Sequence, residues 1–168
     1  MKIEPLSKET LNEAIKLVVD IFNSKPHDFD YPGKWMSASI AKEKDKKLYA
    51  SANCTYVKYY AGIDEFSGKV IGTTGIYTQK DDEKDSDWIA WFCVDPNFRG
   101  KGYGSKLLDF TIDLAKKRGK KFIRLYTSYN TDIKKAMELY SKRGFKITNI
   151  KKHPNTKEEM IYMESRLK

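Results

Sequence analysis

Trp88-Ile-Ala-Trp-Phe-Cys-Val94, then Asp95-Pro-Asn-Phe98, then Arg99-Gly-Lys-Gly-Tyr-Gly-Ser105, then a helical pattern to Arg118, is the stretch around which this chain is organised. Trp88 to Val94 is aromatic and β-branched with almost no polar residue, and it reads as a central strand buried on both faces. Pro96 cannot donate to a ladder, so pairing is expected to stop there. Glycines at 100, 102 and 104 allow positive φ and close approach of a ligand to the backbone. Leu107, Leu108, Thr111, Ile112, Leu114 and Ala115 then recur at helical spacing, predicting a helix over 104–118 that Gly119 ends.

Strand, glycine loop and helix together make an anion site. The first amide N–H groups of a helix have no partner inside it, and the helix dipole favours negative charge there. Arg99, Lys101 and Lys106 add positive charge around the loop. Two familiar phosphate loops do not fit. The Walker loop requires Gly-Lys-Ser/Thr, and here Gly104 is followed by Ser105 and then Lys106. The dinucleotide fingerprint requires Gly-x-Gly-x-x-Gly and a later acidic residue, whereas this spacing is Gly-x-Gly-x-Gly and the matching region, Arg118 to Arg124, is basic.

Working outward, Met1 to Leu6 predicts a short strand. Ser7 to about Asn23 predicts a helix, with Leu11, Ile15, Val18 and Phe22 on one face. A turn-rich segment, Lys25 to Gly33, precedes a weaker helix over Trp35–Lys47. Ala52–Ile63 and Lys69–Tyr77 read as a hairpin around Asp64–Gly68, and Gln79–Asp87 as a polar, mostly acidic loop. After the 104–118 helix come a strand at Phe122–Thr127 and a helix carrying Ile133, Ala136, Met137 and Tyr140. Two closing strands follow, Phe145–Ile150 and Glu159–Ser165, joined by a turn at His153–Thr156. Strand–helix–strand of this length implies a parallel crossover. The order is β-α-α-β-β-β-α-β-α-β-β, an α/β fold with a mixed sheet.

Composition narrows the function class. A chain of 168 residues with 40% hydrophobic and 13% aromatic content reads as one folded domain. No apolar run approaches the roughly 20 residues of a membrane helix, and Met1–Leu6 lacks signal-peptide character, so a cytoplasmic location without membrane association is expected. Cys54 and Cys93 form no Cys-x-x-Cys, and the only histidines are His27 and His153, which argues against zinc and against a histidine-based nucleophile. Charge is uneven: residues 1–97 hold 13 Lys/Arg against 16 Asp/Glu, while residues 98–168 hold 19 against 7. The basic excess begins at the glycine loop and suits a polyphosphate ligand or nucleic acid.

The pattern Arg-x-x-Gly-x-Gly, as Arg99, Gly102 and Gly104 after Val94-Asp95-Pro96, resembles the acetyl-CoA-binding motif of the GNAT family of N-acetyltransferases. The segment Leu139-Tyr140-Ser141-Lys142-Arg143-Gly144-Phe145 resembles that family's Leu-Tyr-x-Lys-x-Gly-Phe. The resemblance implies a mixed central sheet of about seven strands flanked by four helices in a single domain, 1–168, with the acetyl-CoA-binding core at about 88–145. It implies that Arg99, Gly100, Lys101, Gly102, Tyr103, Gly104 and Ser105 hold the CoA pyrophosphate. It implies that the pantetheine arm lies along Phe92, Cys93 and Val94, and that Tyr140 protonates the departing thiolate. The family's usual pantetheine-contacting Asn is replaced by Ile133, and Asn130 stands three residues earlier as a substitute. The family's strand carboxylate, a general base, has no counterpart at Trp88 or Ala90; Asp87 reads as loop. The implied reaction is acetyl transfer from acetyl-CoA, without a metal, to an amine acceptor by direct attack in a ternary complex. The acceptor is expected near His27, Tyr31, Trp35 and Trp91, where aromatic rings attract an ammonium group. A non-catalytic acyl-CoA-binding module and a nucleic-acid-binding protein stand as the alternatives, the latter without a recognisable motif. Monomer and homodimer both remain open.

Overall fold

A computed structural model of the protein describes residues 1–28, 30–128, 133–152 and 158–168. The chain begins with β1 (Lys2–Pro5) and α1 (Lys8–Phe22), then α2 (Pro32–Ile40) and α3 (Lys46–Ser51). The hairpin β2 (Cys54–Ile63) and β3 (Val70–Gln79) leads to β4 (Ser86–Ile89), β5 (Cys93–Val94) and α4 (Tyr103–Lys117). The chain then continues through β6 (Phe122–Ser128), α5 (Ile133–Ser141), β7 (Lys146–Lys152) and β8 (Glu159–Arg166).

Two expected elements are divided, which gives eight strands and five α-helices among the described residues instead of about seven and four. The helix read over Trp35–Lys47 is two helices. The first starts earlier, with Pro32 in its first turn, where a missing N–H costs nothing. Ala41 is extended (φ −63°, ψ 143°) and ends it; Asp45 then caps the second by accepting from the Leu48 amide at 2.9 Å. The strand read over Trp88–Val94 begins earlier, at Ser86, and breaks between Ile89 and Cys93. The break centres on Trp91, whose φ of 38° lies in the left-handed region that L-residues avoid.

The sheet runs β1-β2-β3-β4-β6-β8-β7, with β5 paired to β3. The β4–β6 pair is parallel, as the α4 crossover requires, and the others are antiparallel. Helices cover both faces. On one side α1, α2 and α3 bury Ala14, Val18, Met36 and Tyr49 against Val57, Tyr59 and Ala61. On the other, Leu108 and Ala115 of α4 and Tyr140 of α5 pack with Ile123, Leu125, Ile161 and Met163. Leu107 and Leu108 are fully buried, and each such side chain contributes about 1.5–3 kcal/mol. Among the described residues, no helix is long and apolar enough to cross a membrane.

Candidate active site

The site begins where two parallel strands part. β4 and β6 pair at Ser86↔Phe122, Asp87↔Ile123 and Trp88↔Arg124, and no further β4–β6 pair forms among the described residues. β6 keeps its antiparallel partner β8 as far as Ser128↔Met160, while β5 turns toward β3 at Gly72↔Val94 and Thr73↔Cys93. The turn is built into β3: buried Thr73 donates its hydroxyl to the Trp91 carbonyl at 2.7 Å and lies 3.3 Å from Cys93 Sγ. A left-handed residue clamped in this way redirects β5 and leaves a V-shaped cleft between β5 and β6.

One edge of that cleft carries unpaired backbone. The Asp95 amide donates to Ile71 on β3, so by strand alternation the Val94 amide and carbonyl face the open edge. The Val94 carbonyl accepts from Arg99 Nε at 3.0 Å. Arg99 therefore braces the strand edge as well as carrying charge to the loop. Phe92 is half-buried; Cys93 and Val94 are buried.

The glycine loop stands at one end of the cleft. Gly100 and Gly102 take φ of 78° and 79°, and a Cβ at either would meet nothing within 4 Å. Gly104 has no positive φ; there α4 passes Leu139 of α5, which a Cβ would meet at 3.6 Å. Gly102 is the α4 N-cap and offers no side-chain acceptor, so the first amides, at Tyr103, Gly104 and Ser105, face outward unsatisfied. Lys101 holds its ammonium 5.0 Å above the Phe98 ring, and Lys106 instead turns to the Met1 carbonyl. Open space, outward amides and fixed positive charge fit a pyrophosphate.

Tyr140 of α5 packs beside the strand edge, in the core cluster that Phe92 joins. Its ring packs 6.1 Å from Phe92 and 5.8 Å from Phe145, and the residue is 7% exposed. Burial pushes its hydroxyl pKa far above the usual tyrosine value, with Cys93 adding to the effect, so the phenol stays protonated. Cys93 itself is raised to about 11 by burial and remains a neutral thiol.

Asp87, read as loop, is instead a fully buried residue of β4. Its carboxylate accepts from Thr78 Oγ1 at 2.6 Å and from Arg118 Nε at 2.7 Å, on the α4 face of the sheet. Arg118 also lies 3.7 Å over the Tyr56 ring. The carboxylate is committed to the C-terminal end of α4 and turns away from the cleft. The acidic loop before it is similarly engaged: Asp82 pairs with Arg124 at 2.6 Å and Asp85 with Lys121 at 2.8 Å. A pocket of about 430 Å³ lies between this loop and Phe122, at the paired end of β4 and β6 and away from the cleft.

The residues named for an acceptor are scattered. Trp35 is 8% exposed, with its ring 6.4 Å from Tyr49 in the helical core. Tyr31 folds over Gly33, and the His27 side chain is 83% exposed. Trp91 packs 5.2 Å from Phe22 and is the nearest of them to the cleft, since it forms the strand break. Asn130 and the turn at 153–156 lie outside the described residues.

The profile of the acetyltransferase (GNAT) family matches residues 20–145. The chain belongs to the GNAT family. An uncharacterised N-acetyltransferase of Methanocaldococcus jannaschii is 31% identical over 86 residues, which is 49% of this chain and 37% of that relative. Among solved structures, an IAA acetyltransferase from Bacillus cereus superposes with a TM-score of 0.71 at 19% identity, covering 99% of both chains. The aminoglycoside 6'-N-acetyltransferase of Enterococcus faecium gives 0.69 at 15%, covering 100% of this chain and 98% of the other. These structural likenesses establish the GNAT fold for this chain. The acyl donor of GNAT proteins is acetyl-CoA.

Proposed function

We propose that this GNAT protein is an acetyl-CoA-dependent N-acetyltransferase acting on a primary amine by direct attack in a ternary complex. The observation that carries the reading is the glycine cradle standing beside the strand edge at Val94, with the Tyr140 ring packed 6.1 Å from Phe92 of that same segment. Acetyl-CoA would supply an activated acetyl group as a thioester. The amides of Tyr103, Gly104 and Ser105 would hold its phosphates, with Lys101 and Arg99 neutralising charge. The exposed backbone of Phe92 and Val94 would align the pantetheine arm as an added strand. Because Arg99 already occupies the Val94 carbonyl, the Val94 amide is the group left for that contact.

Tyr140, kept protonated by burial, would donate its proton to the departing sulfur. Asp87 cannot take the proton from the amine, being locked to Arg118 and Thr78, so water in the open cleft would carry it. Acetylation of a panel of primary amines, followed by mass detection of product, tests the reading. Product formation supports transfer. Tight acetyl-CoA binding with no product across the panel would identify a non-catalytic acyl-CoA-binding module instead.

A further inference from the structure

Tyr140 sits on a helix that the core grips lightly. α5 has nine residues, too few to be stable in isolation. Among the described residues of α5 only Tyr140 is buried, while Ile133, Ala136, Met137 and Leu139 are partly covered. A hydroxyl that is to meet a departing sulfur within hydrogen-bond reach needs a firmer hold than that. The polar ties of this region converge on Arg143, two residues past the end of α5 and three past Tyr140.

Arg143 Nε and Nη2 both donate to the Asp109 carboxylate of α4, the latter at 2.8 Å. This is the two-pronged geometry that makes an arginine–carboxylate pair directional. Nη1 donates to the Leu139 carbonyl at 3.3 Å, and the Arg143 amide donates to the Tyr140 carbonyl at 2.9 Å. The Arg143 carbonyl accepts from Ser165 Oγ of β8 at 3.0 Å. Gly144 follows at φ 79°, and a Cβ there would meet the same Ser165 Oγ at 3.3 Å. The Arg143 side chain is 17% exposed, so the pair is better shielded and more fully bonded than an ordinary surface ion pair, although Asp109 is 56% exposed. Asp109 stands one turn beyond Ser105 on the same side of α4. The helix that presents outward amides at its start thus carries, one turn on, the carboxylate that holds the turn after Tyr140.

From this arrangement we infer that Asp109 and Arg143 are a positioning pair: they fix α5 on α4 and so set where the Tyr140 hydroxyl stands relative to a donor seated in the glycine cradle. The inference rests on the N-acetyltransferase reading and on Tyr140 as its proton donor. The pair acts through Tyr140 and not on the reacting atoms. An ion pair that only added stability would leave the transfer step of the folded enzyme unchanged.

Asp109→Asn keeps the shape of an exposed side chain and removes its charge, whereas Arg143→Lys keeps the charge and removes the fork. Each should lower the single-turnover rate of acetyl transfer about three- to tenfold, with acetyl-CoA affinity by calorimetry held within about twofold. In a Tyr140→Phe background, adding Asp109→Asn should slow transfer by less than about twofold more, because the group the bridge aims is already gone. Full rates in both single variants, or effects of Asp109→Asn and Tyr140→Phe that multiply, overturn the inference. Hydrogen exchange gives a readout independent of turnover: the amides of 133–141 should exchange about tenfold faster in Asp109→Asn while those of α4 change little. Unchanged protection of α5 likewise overturns it. The two ideas fail separately. No product from the wild type across an amine panel would sink the acetyltransferase reading, and full activity in Tyr140→Phe would sink this inference while leaving that reading in place.

Discussion

The two ends of α4 are built in opposite ways. At the N-terminal end Gly102 caps the helix without a side chain, three amides face outward, and open space lies over Gly100 and Gly102. At the C-terminal end Arg118, which caps the helix, is tied to fully buried Asp87, which is tied in turn to Thr78 on β3. Polar groups of the same helix are thus left unsatisfied where a ligand would bind and fully satisfied where the sheet must be held. The unsatisfied end can afford exposure because water hydrates it when no ligand is present. The satisfied end has no such recourse, since a carboxylate with no exposure must find its partners within the protein.

Four substitutions would break or sharpen this contrast. The largest effect is expected at the open end. Gly102→Glu places a negative side chain over the cradle and an L-residue at φ 79°, so acetyl-CoA affinity should fall by about a hundredfold or more. The left-handed strain should cost only about 1–2 kcal/mol of stability. Calorimetry on the folded variant checks this, and unchanged affinity would remove the phosphate assignment. At the closed end the pattern should reverse. Asp87→Ala leaves Arg118 and Lys120 facing a buried void and should cost about 3 kcal/mol in denaturant unfolding, the low end for a broken buried pair because Arg118 is 26% exposed. A stability loss under about 1 kcal/mol would mean the network is incidental.

Arg99→Ala should lower acetyl-CoA affinity by about ten- to a hundredfold, with a smaller effect on a ligand that lacks the phosphates. Because Arg99 also braces the Val94 carbonyl, an equal loss for both ligands would assign it to the strand edge. Tyr140→Phe touches neither end of the helix. It keeps the ring packed against Phe92 and Phe145, so folding and acetyl-CoA affinity should hold while kcat falls at least about tenfold. This requires that chemistry limits the wild-type rate. Full activity in the variant would pass the proton donor's role to water.

The glycine loop was legible in the sequence because its information is local. Positive φ at Gly100 and Gly102 and free amides at a helix start follow from residues adjacent in the chain. The break at Trp91 was not legible. Ala-Trp-Phe has strand composition whether or not the strand continues, and the hydroxyl that clamps the turn belongs to Thr73, eighteen residues earlier on another strand. Asp87 was read as the end of an acidic loop for a similar reason: its partner Arg118 lies 31 residues away. Trp35 was read as the first residue of a single helix and as an acceptor contact, yet it packs inward on Tyr49, a residue the divided helix brings against it.

By itself the sequence determined the α/β class, the family motif, the glycine loop at the start of α4 and the place of Tyr140 on the inner face of α5. Each follows from periodicity or from backbone chemistry within a few residues. Tertiary structure alone decided where β4 and β6 part, which carboxylate is locked away, and which tyrosines share a face beside the cleft. Tyr59, Tyr77 and Tyr126 lie on three different strands, and alternation along each strand sorts residues into two faces without saying which face is which. Only pairing and register bring them to one side of the sheet. Those are interactions between distant parts of the chain, and no local pattern encodes them.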